Sequence, residues 1–517
     1  MKLKLIYILI LIQLAVVGYS QQPGRLTNKF FPDLDVTFNT PAFESKHGFT
    51  NYKELIAFLE ELTSSNEHAQ LLYLGKTQKG RKIPYVKISK PGSTDKLRIW
   101  MQGGIHGNEP ASSEGMLAVL SDLLTKDENS FLLDRLEVVI VPMVNIDGYV
   151  KQNRRAKNDL DLNRDLMKLQ IPEIKQLRAT YADYSPHVSI DFHEYNPFRA
   201  AFRQFGDMGY TSFYDAMFLY TGELNVEPKI RDLTENLFVK NAKAKFTEEG
   251  FQYNDYFSPQ ENLGKLYFNM GSTSARSSAT SFALGNSISV LMEIRGIRLN
   301  RNSFERRVYI TYTAAFSYLK TAYENHDRVL AGVNEAIEST IAREHDVVIK
   351  SKKSNVELPI KFIDIAENEA VENEFPVASS KEMTPVVSRE RPYAYVLPSN
   401  QTQAIENLRI LGLDIDTLKT PQTFEVQSYV VEAQEIEASK YQGYFPNNVS
   451  TQISTIEKQF EQGAFIIRLN QKNANLAVTA LEPENENSFV RVRVVEAQKG
   501  EEIPIYRLMN VDESQNF

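Results

Sequence analysis

The sequence predicts an α/β fold, a mixed, mostly parallel sheet sandwiched by helices, followed by a smaller α/β or β-rich C-terminal region. Three observations predict it. Between about residues 39 and 343, short and nearly continuous apolar runs alternate with amphipathic stretches, and strands buried on both faces read as unbroken apolar runs. Regular alternation of strand and helix favours a parallel sheet covered by helices. Beyond about residue 345 the texture changes to short β-like runs around a single helical stretch.

The chain opens with Lys2 and Lys4, an apolar run from Leu5 to Val17, and the small residues Gly18 and Ser20. This is the pattern of a secretory signal peptide over residues 1–20, cleaved before Gln21. The run is shorter than the roughly 20 residues of a spanning helix, and no later stretch is long and apolar enough to span a bilayer. The expectation is an exported protein, secreted or periplasmic, without a transmembrane segment after cleavage.

Asn51 to Leu62 reads as a helix, with Tyr52, Leu55, Ile56, Phe58, Leu59 and Leu62 at helical spacing. Leu97–Met101 is an apolar strand ending in Gly103-Gly104, and Glu114–Leu124 is an amphipathic helix. Leu136–Val144, Val188–Phe192 and Ile288–Ile294 are three more buried-strand runs, and helical patterning extends from Phe304 to about Arg343. The acidic stretch Ala366–Glu374 then reads as a loop or linker. Tyr393–Leu397, Phe424–Val431 and Gly463–Leu469 follow as β-like runs, with Gln401–Leu411 as a helix. The expected division is 21–344 for the α/β body and 345–517 for an accessory region.

Composition narrows the chemistry. A chain of 517 residues with 42% hydrophobic and 24% charged residues can bury an ordinary core. A net charge of −8 argues against nonspecific nucleic-acid binding, which needs a basic face. The absence of cysteine removes thiol nucleophiles, Cys-ligated zinc and iron–sulfur clusters.

Seven histidines remain to be weighed. His47, His68, His326 and His345 sit in polar surroundings and read as exposed side chains, and His187 opens a strand and reads as structural. His106 differs, because it follows a buried strand and two glycines in GGIHGNEP, with Glu109 three residues later. Nitrogen and carboxylate ligands from a turn entering a helix can converge on one dication, commonly with a third protein ligand and an open position. His193 closes the run Val188–Phe192, and Glu293 lies near the end of Ile288–Ile294. His106, His193 and Glu293 thus fall together at the C-terminal edge of the expected parallel strands, where ligand sites of open α/β sheets gather. Glu194, directly after His193, points to the other face and takes no ligand role. Arg154, Arg155 and the segment Asp161-Leu162-Asn163-Arg164-Asp165 add guanidinium and amide groups of the kind that grip a carboxylate at two points.

In this order, His-x-x-Glu, an Asn-Arg pair in a DLNRD segment, a strand-end histidine and a late glutamate, the chain resembles the M14 family of zinc carboxypeptidases over about residues 45–325. The resemblance implies one zinc per chain held by His106, Glu109 and His193. It makes Asp161 the carboxylate that orients a ligand histidine, Arg154 the group that stabilises the developing oxyanion, Asn163 and Arg164 the pair that binds the substrate's terminal carboxylate, and Glu293 the general base. Peptide or protein C-termini would be the substrates. The chain departs from the pancreatic type at Asn108, where that type has arginine, and lacks an obvious counterpart of the family's mobile, substrate-covering tyrosine. Tyr267 lies four residues too early, and the polar segment Gly271–Thr280 offers Arg276 instead, which could touch substrate. The region after 345 resembles the C-terminal extension of some longer bacterial-type relatives. A deacylase or cell-wall peptide hydrolase of the same superfamily is the alternative, and an inactive peptidase-like binding protein a further one, although such proteins lose a ligand or the base and here all four residues are present.

Overall fold

The computed structural model describes residues 22–45, 47–92, 95–262 and 265–510. The expected signal peptide lies outside them. Among the described residues no helix is long and apolar enough to cross a membrane.

Before residue 300 the strands are β1 (Ala69–Lys76), β2 (Lys82–Ile88), β3 (Leu97–Gly103), β4 (Leu136–Val141), β5 (Val188–Tyr195), β6 (Tyr210–Ser212), β7 (Ala216–Leu219), β8 (Tyr253–Asp255), β9 (Phe257–Asn262), β10 (Lys265–Met270) and β11 (Ile288–Arg295). After it come β12 (Val347–Asp364), β13 (Glu369–Arg389), β14 (Ala394–Leu397), β15 (Asp416–Thr417), β16 (Gln422–Ile436), β17 (Asn447–Phe460), β18 (Phe465–Arg468) and β19 (Glu502–Leu508). The helices packed on these sheets include α1 (Tyr52–Ser64), α2 (Pro110–Thr125), α3 (Pro172–Tyr184), α4 (Ser278–Leu284), α5 (Phe304–Glu324), α6 (His326–Ala342), α7 (Thr402–Ile410) and α8 (Ala474–Leu481).

The main sheet has eight strands in the order β1-β2-β4-β3-β5-β11-β7-β8. Its centre, β4-β3-β5-β11, is parallel, and these are the four apolar runs that sequence patterning picks out. Antiparallel pairing joins β2 and β7 to that centre, so the sheet is mixed. Trp100, Phe192, Val290 and Met292 are buried among helices on both faces. α1 starts in a capping box, in which the Asn51 side chain accepts from the Lys53 and Glu54 amides and Glu54 accepts from the Asn51 amide at 2.8 Å. α2 starts with Pro110 at its first position, where no amide is needed. It runs so close to α5 that a Cβ on Gly115 would lie 2.3 Å from the Thr311 methyl group.

The expected boundary at 344/345 falls between α6 and β12. On its far side β12 pairs with β6 and β13 with β10, so a second sheet, β6-β12-β13-β10-β9, draws strands from both sides of that point. The third sheet, β15-β18-β14-β19-β16-β17, comes wholly from residues after 390. α8 is buried throughout and shares one apolar core with the main sheet.

Two expectations are corrected. Ala366–Glu374 is not a linker, because the chain turns at 365–368 and Glu369–Glu374 begins β13, in register with β12. Cross-strand backbone bonds hold this ribbon whatever its composition, and its acidic side chains stand on solvent-facing positions, Glu372 paired with Lys361 at 3.5 Å. His326 is buried, not exposed. At the start of α6 its Nδ1 lies 2.8 Å from Asp327 and its Nε2 2.8 Å from the Asp95 carbonyl.

His187 is structural, as expected. It is buried before β5, and its Nδ1 accepts the Arg98 amide at 2.9 Å. Burial, with Arg98, Lys472 and His326 nearby, lowers its pKa to about 3. An unfolded chain protonates this ring near 6.5. The stabilisation from keeping it neutral is therefore whole above pH 6.5 and is lost as pH falls towards 3. Between pH 7 and pH 5 the cost is about 2 kcal/mol. Denaturant titrations at the two pH values should show that His187→Asn, which keeps an acceptor for the Arg98 amide, loses less stability by this amount. Equal losses in variant and parent would contradict it.

Candidate metal centre and active site

β3 delivers the chain to a tight turn, Gly103-Gly104-Ile105-His106-Gly107, before α2. Gly104 adopts φ +63°, and a Cβ on Gly107 would sit 2.1 Å from the Gly148 backbone, so neither position admits a side chain. The turn presents His106, and Glu109 sits at the N-cap of α2. β5 presents His193 from the next strand of the sheet. The His106 Nδ1 lies 2.8 Å from Glu109 Oε1, the His193 Nδ1 lies 3.0 Å from Glu109 Oε2, and the two Nδ1 atoms are 3.0 Å apart. All three residues are buried, and their candidate ligand atoms lie within 4.8 Å of one another.

The far nitrogen of each ring is held by a carboxylate. His106 Nε2 is 3.0 Å from Asp161 Oδ1 and His193 Nε2 is 2.9 Å from Asp191 Oδ2. With each Nε2–H donated to its carboxylate, both Nδ1 lone pairs and the Glu109 carboxylate face one point. Three acceptors packed this closely repel one another unless a cation lies among them. This donor set, two imidazoles and a carboxylate with their outer partners in place, fits a zinc ion.

Glu293 stands beside this group. β11 runs parallel to β5 with Glu293 directly opposite His193 in register, so the two side chains rise from the same face one strand spacing apart. Its Oε2 is buried and accepts no hydrogen bond among the described residues. Burial raises the Glu293 pKa above the usual carboxylate range, against the pull of His193, with Glu109 adding to the rise.

The structure brings the arginine and amide residues together beside this group. Arg154 Nε donates to Asp161 Oδ2 at 2.9 Å, and its Nη1 lies 3.6 Å from Glu109. Asp161 also accepts the Asn163 amide at 2.9 Å. Burial favours its neutral form, but His106 and then Arg154 hold it well below the usual carboxylate range. The Asn163 side-chain oxygen accepts the Ser278 amide at 2.8 Å, leaving its Nδ2 near His193, and Arg164 Nη1 donates to the Asn163 carbonyl at 2.7 Å. Glu194 points away, as expected, and pairs with Arg307 behind the sheet.

A cavity of about 640 Å³ opens over these groups, with His106, Arg154, Asn163, Arg164 and Glu293 in its wall. Arg276 lines it and Tyr267 does not. Sequence reasoning missed Arg199 and Tyr256, whose side chains meet at 3.2 Å, and missed Lys353, Tyr441 and Glu486, which reach the cavity from beyond residue 345. Arg199, six residues after His193, was legible as a charged neighbour of a strand end. The other four carry no motif and arrive by tertiary packing.

The chain is similar to known proteins along most of its length. The family model for zinc carboxypeptidases matches residues 55–235, a stretch that holds His106, Glu109, Arg154, Asp161, Asn163, Arg164 and His193 and ends before Glu293. Carboxypeptidase 2 of Trichophyton rubrum is 30% identical over 499 residues, covering 92% of this chain and 92% of the relative. Carboxypeptidase 2 of Trichophyton equinum is 30% identical over 517 residues, covering 95% of each. Among solved structures, carboxypeptidase A from Helicoverpa armigera aligns with a TM-score of 0.41 at 18% identity, over 55% of this chain and 78% of that one. The likeness to the full-length relatives, on top of the matched family model, establishes that the chain belongs to the zinc carboxypeptidase family of peptide hydrolases.

Proposed function

We propose that this protein is an exported metallocarboxypeptidase that removes residues from the C-termini of peptides, with one zinc held by His106, Glu109 and His193. Residues 21–344 carry the machinery and 345–517 form the accessory region. The observation that carries the reading is the placement of Glu293, half-buried in the cavity wall with its buried Oε2 free of hydrogen-bond partners among the described residues, in register beside His193 of the convergent His–Glu–His group.

A zinc held by His106, Glu109 and His193 would supply a Lewis acid able to make a water a nucleophile near neutral pH. Glu293 accepts the proton of the attacking water and returns it to the leaving amine, a role suited to a carboxylate whose pKa burial has raised. Arg154 has a side chain 36% exposed to the cavity and anchored at one edge by Asp161. Its guanidinium offers positive charge to the scissile carbonyl oxygen as negative charge develops there. Asn163 and Arg164 grip the terminal carboxylate, and this selects the last peptide bond for cleavage. Export rests on the basic-then-apolar opening, Lys2, Lys4 and Leu5–Val17.

Product profiling on a mixed peptide library should show residues released one at a time from the C-terminus. Internal cleavage, or release from N-acyl amino acids with none from peptides, would overturn the reading. Glu293→Gln should fold and retain stoichiometric zinc while kcat falls by about 10²–10⁴-fold; near-parental turnover would remove Glu293 from the role of base. Arg164→Met should lower kcat/KM for free peptides by about 100-fold, whereas C-terminally amidated peptides, poor substrates of the parent, should be unaffected. An equal loss on both would show that Arg164 does not read the terminal carboxylate. Chelation should abolish activity, and zinc should restore it.

A further inference from the structure

The accessory region reaches the active-site cavity at Lys353, Tyr441 and Glu486, and the turn that bears Tyr441 also bonds to Asp161. The connection between β16 and β17 ends in a tight turn, Tyr441-Gln442-Gly443-Tyr444, closed by the Tyr444 amide on the Tyr441 carbonyl at 3.1 Å and the Tyr441 amide on the Tyr444 carbonyl at 2.7 Å. Its central residues have φ +47° and φ +83°. Turns of this kind demand positive φ at both central positions, and glycine, asparagine or aspartate meet that demand at little cost. Glutamine does not, so its presence at the first of the two positions is strained.

The side chain explains the residue. Gln442 Oε1 accepts the backbone amide of Asp161 at 2.8 Å, and the Gln442 carbonyl accepts Gln170 Nε2 at 2.9 Å. Asp161 is the residue whose carboxylate holds His106, Arg154 and the Asn163 amide together. The turn is pinned on either side by aromatic–cation contacts, Arg276 over Tyr441 at 4.6 Å and Lys168 over Tyr444 at 4.0 Å. Tyr441 and Arg276 both line the cavity.

We propose that Gln442 is a positioning residue of the active site, reaching from the accessory region to fix the backbone of Asp161 and, through its carboxylate, the orientation of His106. A side chain one methylene shorter would not span the distance. The accessory region is then a working part of the site. The inference rests on the reading of His106, Glu109 and His193 as metal ligands.

Gln442→Gly and Gln442→Asn test it in the full-length protein, because both residues tolerate positive φ and keep the turn while withdrawing the acceptor. Zinc affinity measured by chelator competition should fall about tenfold in both, the lower end for loss of an outer-shell partner, and kcat should fall with it. The Tm of the metal-free protein should stay within about 2 °C of the parent, or rise in the glycine variant as strain is released. Parental zinc affinity and kcat in both variants would overturn the proposal. So would a fall of more than about 5 °C in the metal-free Tm accompanying the loss, which would assign Gln442 to holding the fold. His106→Gln, measured in parallel, separates the two readings. If it binds zinc as the parent does, the metal-site reading fails; if it loses zinc while both Gln442 variants keep theirs, only the role of Gln442 fails.

Discussion

The site depends on how the two imidazoles are held by their far nitrogens. A ring free to rotate would turn its Nδ1 away from the crowded point it shares with Glu109, because two lone pairs and a carboxylate repel. Carboxylates on the outer nitrogens prevent that rotation. The two tethers are built differently. Asp191 lies two residues before His193 on β5, and residues two apart on a strand share a face, so the strand itself places that bond. Ser278, at the start of α4, donates its hydroxyl to the same Asp191 carboxylate. Asp161 caps a single 3-10 turn, Leu162–Arg164, where its carboxylate accepts the Asn163 amide, and it is held further by Arg154 and by the acceptor that Gln442 brings to its own amide. One half of the metal group is fixed by a strand alone and the other by a capped turn that a distant part of the chain helps to hold.

That division also sets what could be read from the sequence. The four central strands were legible because burial on both faces leaves an unbroken apolar run, and the residues at their C-terminal ends followed. His193 and Glu293 needed only strand ends and parallel pairing. Their exact register, which brings Glu293 level with His193, is a property of the folded sheet that no run of apolar residues encodes. The cluster of Arg154, Asn163 and Arg164 was legible through order and spacing along the chain. Lys353, Tyr441, Gln442 and Glu486 were not, since nothing in a hairpin tip or a ribbon strand announces what it will touch. The acidic stretch Ala366–Glu374 misled for a related reason. Composition reports solvent exposure, and an exposed antiparallel ribbon looks the same as a linker when its stability lies in backbone pairing.

The alternation of β5 couples the front of the sheet to its back. His193 faces the metal group, and the next residue, Glu194, is buried on the other side, where burial alone would favour its neutral form and Arg307 opposes that rise. Glu194 Oε2 accepts the amide of Ala111 at 3.0 Å, within the first turn of α2. A helix start carries unpaired amides and partial positive charge, and a carboxylate there satisfies both. Glu109 is the N-cap of that same helix. The first turn of α2 is therefore anchored by Glu194 at the back while it presents Glu109 to the two histidines at the front. Two consecutive residues of one strand thus fix two of the three groups around the metal position, His193 directly and Glu109 through the helix that bears it. Only His106 is left to be oriented from outside the sheet, and that is the ring whose partner, Asp161, the C-terminal hairpin reaches across to hold.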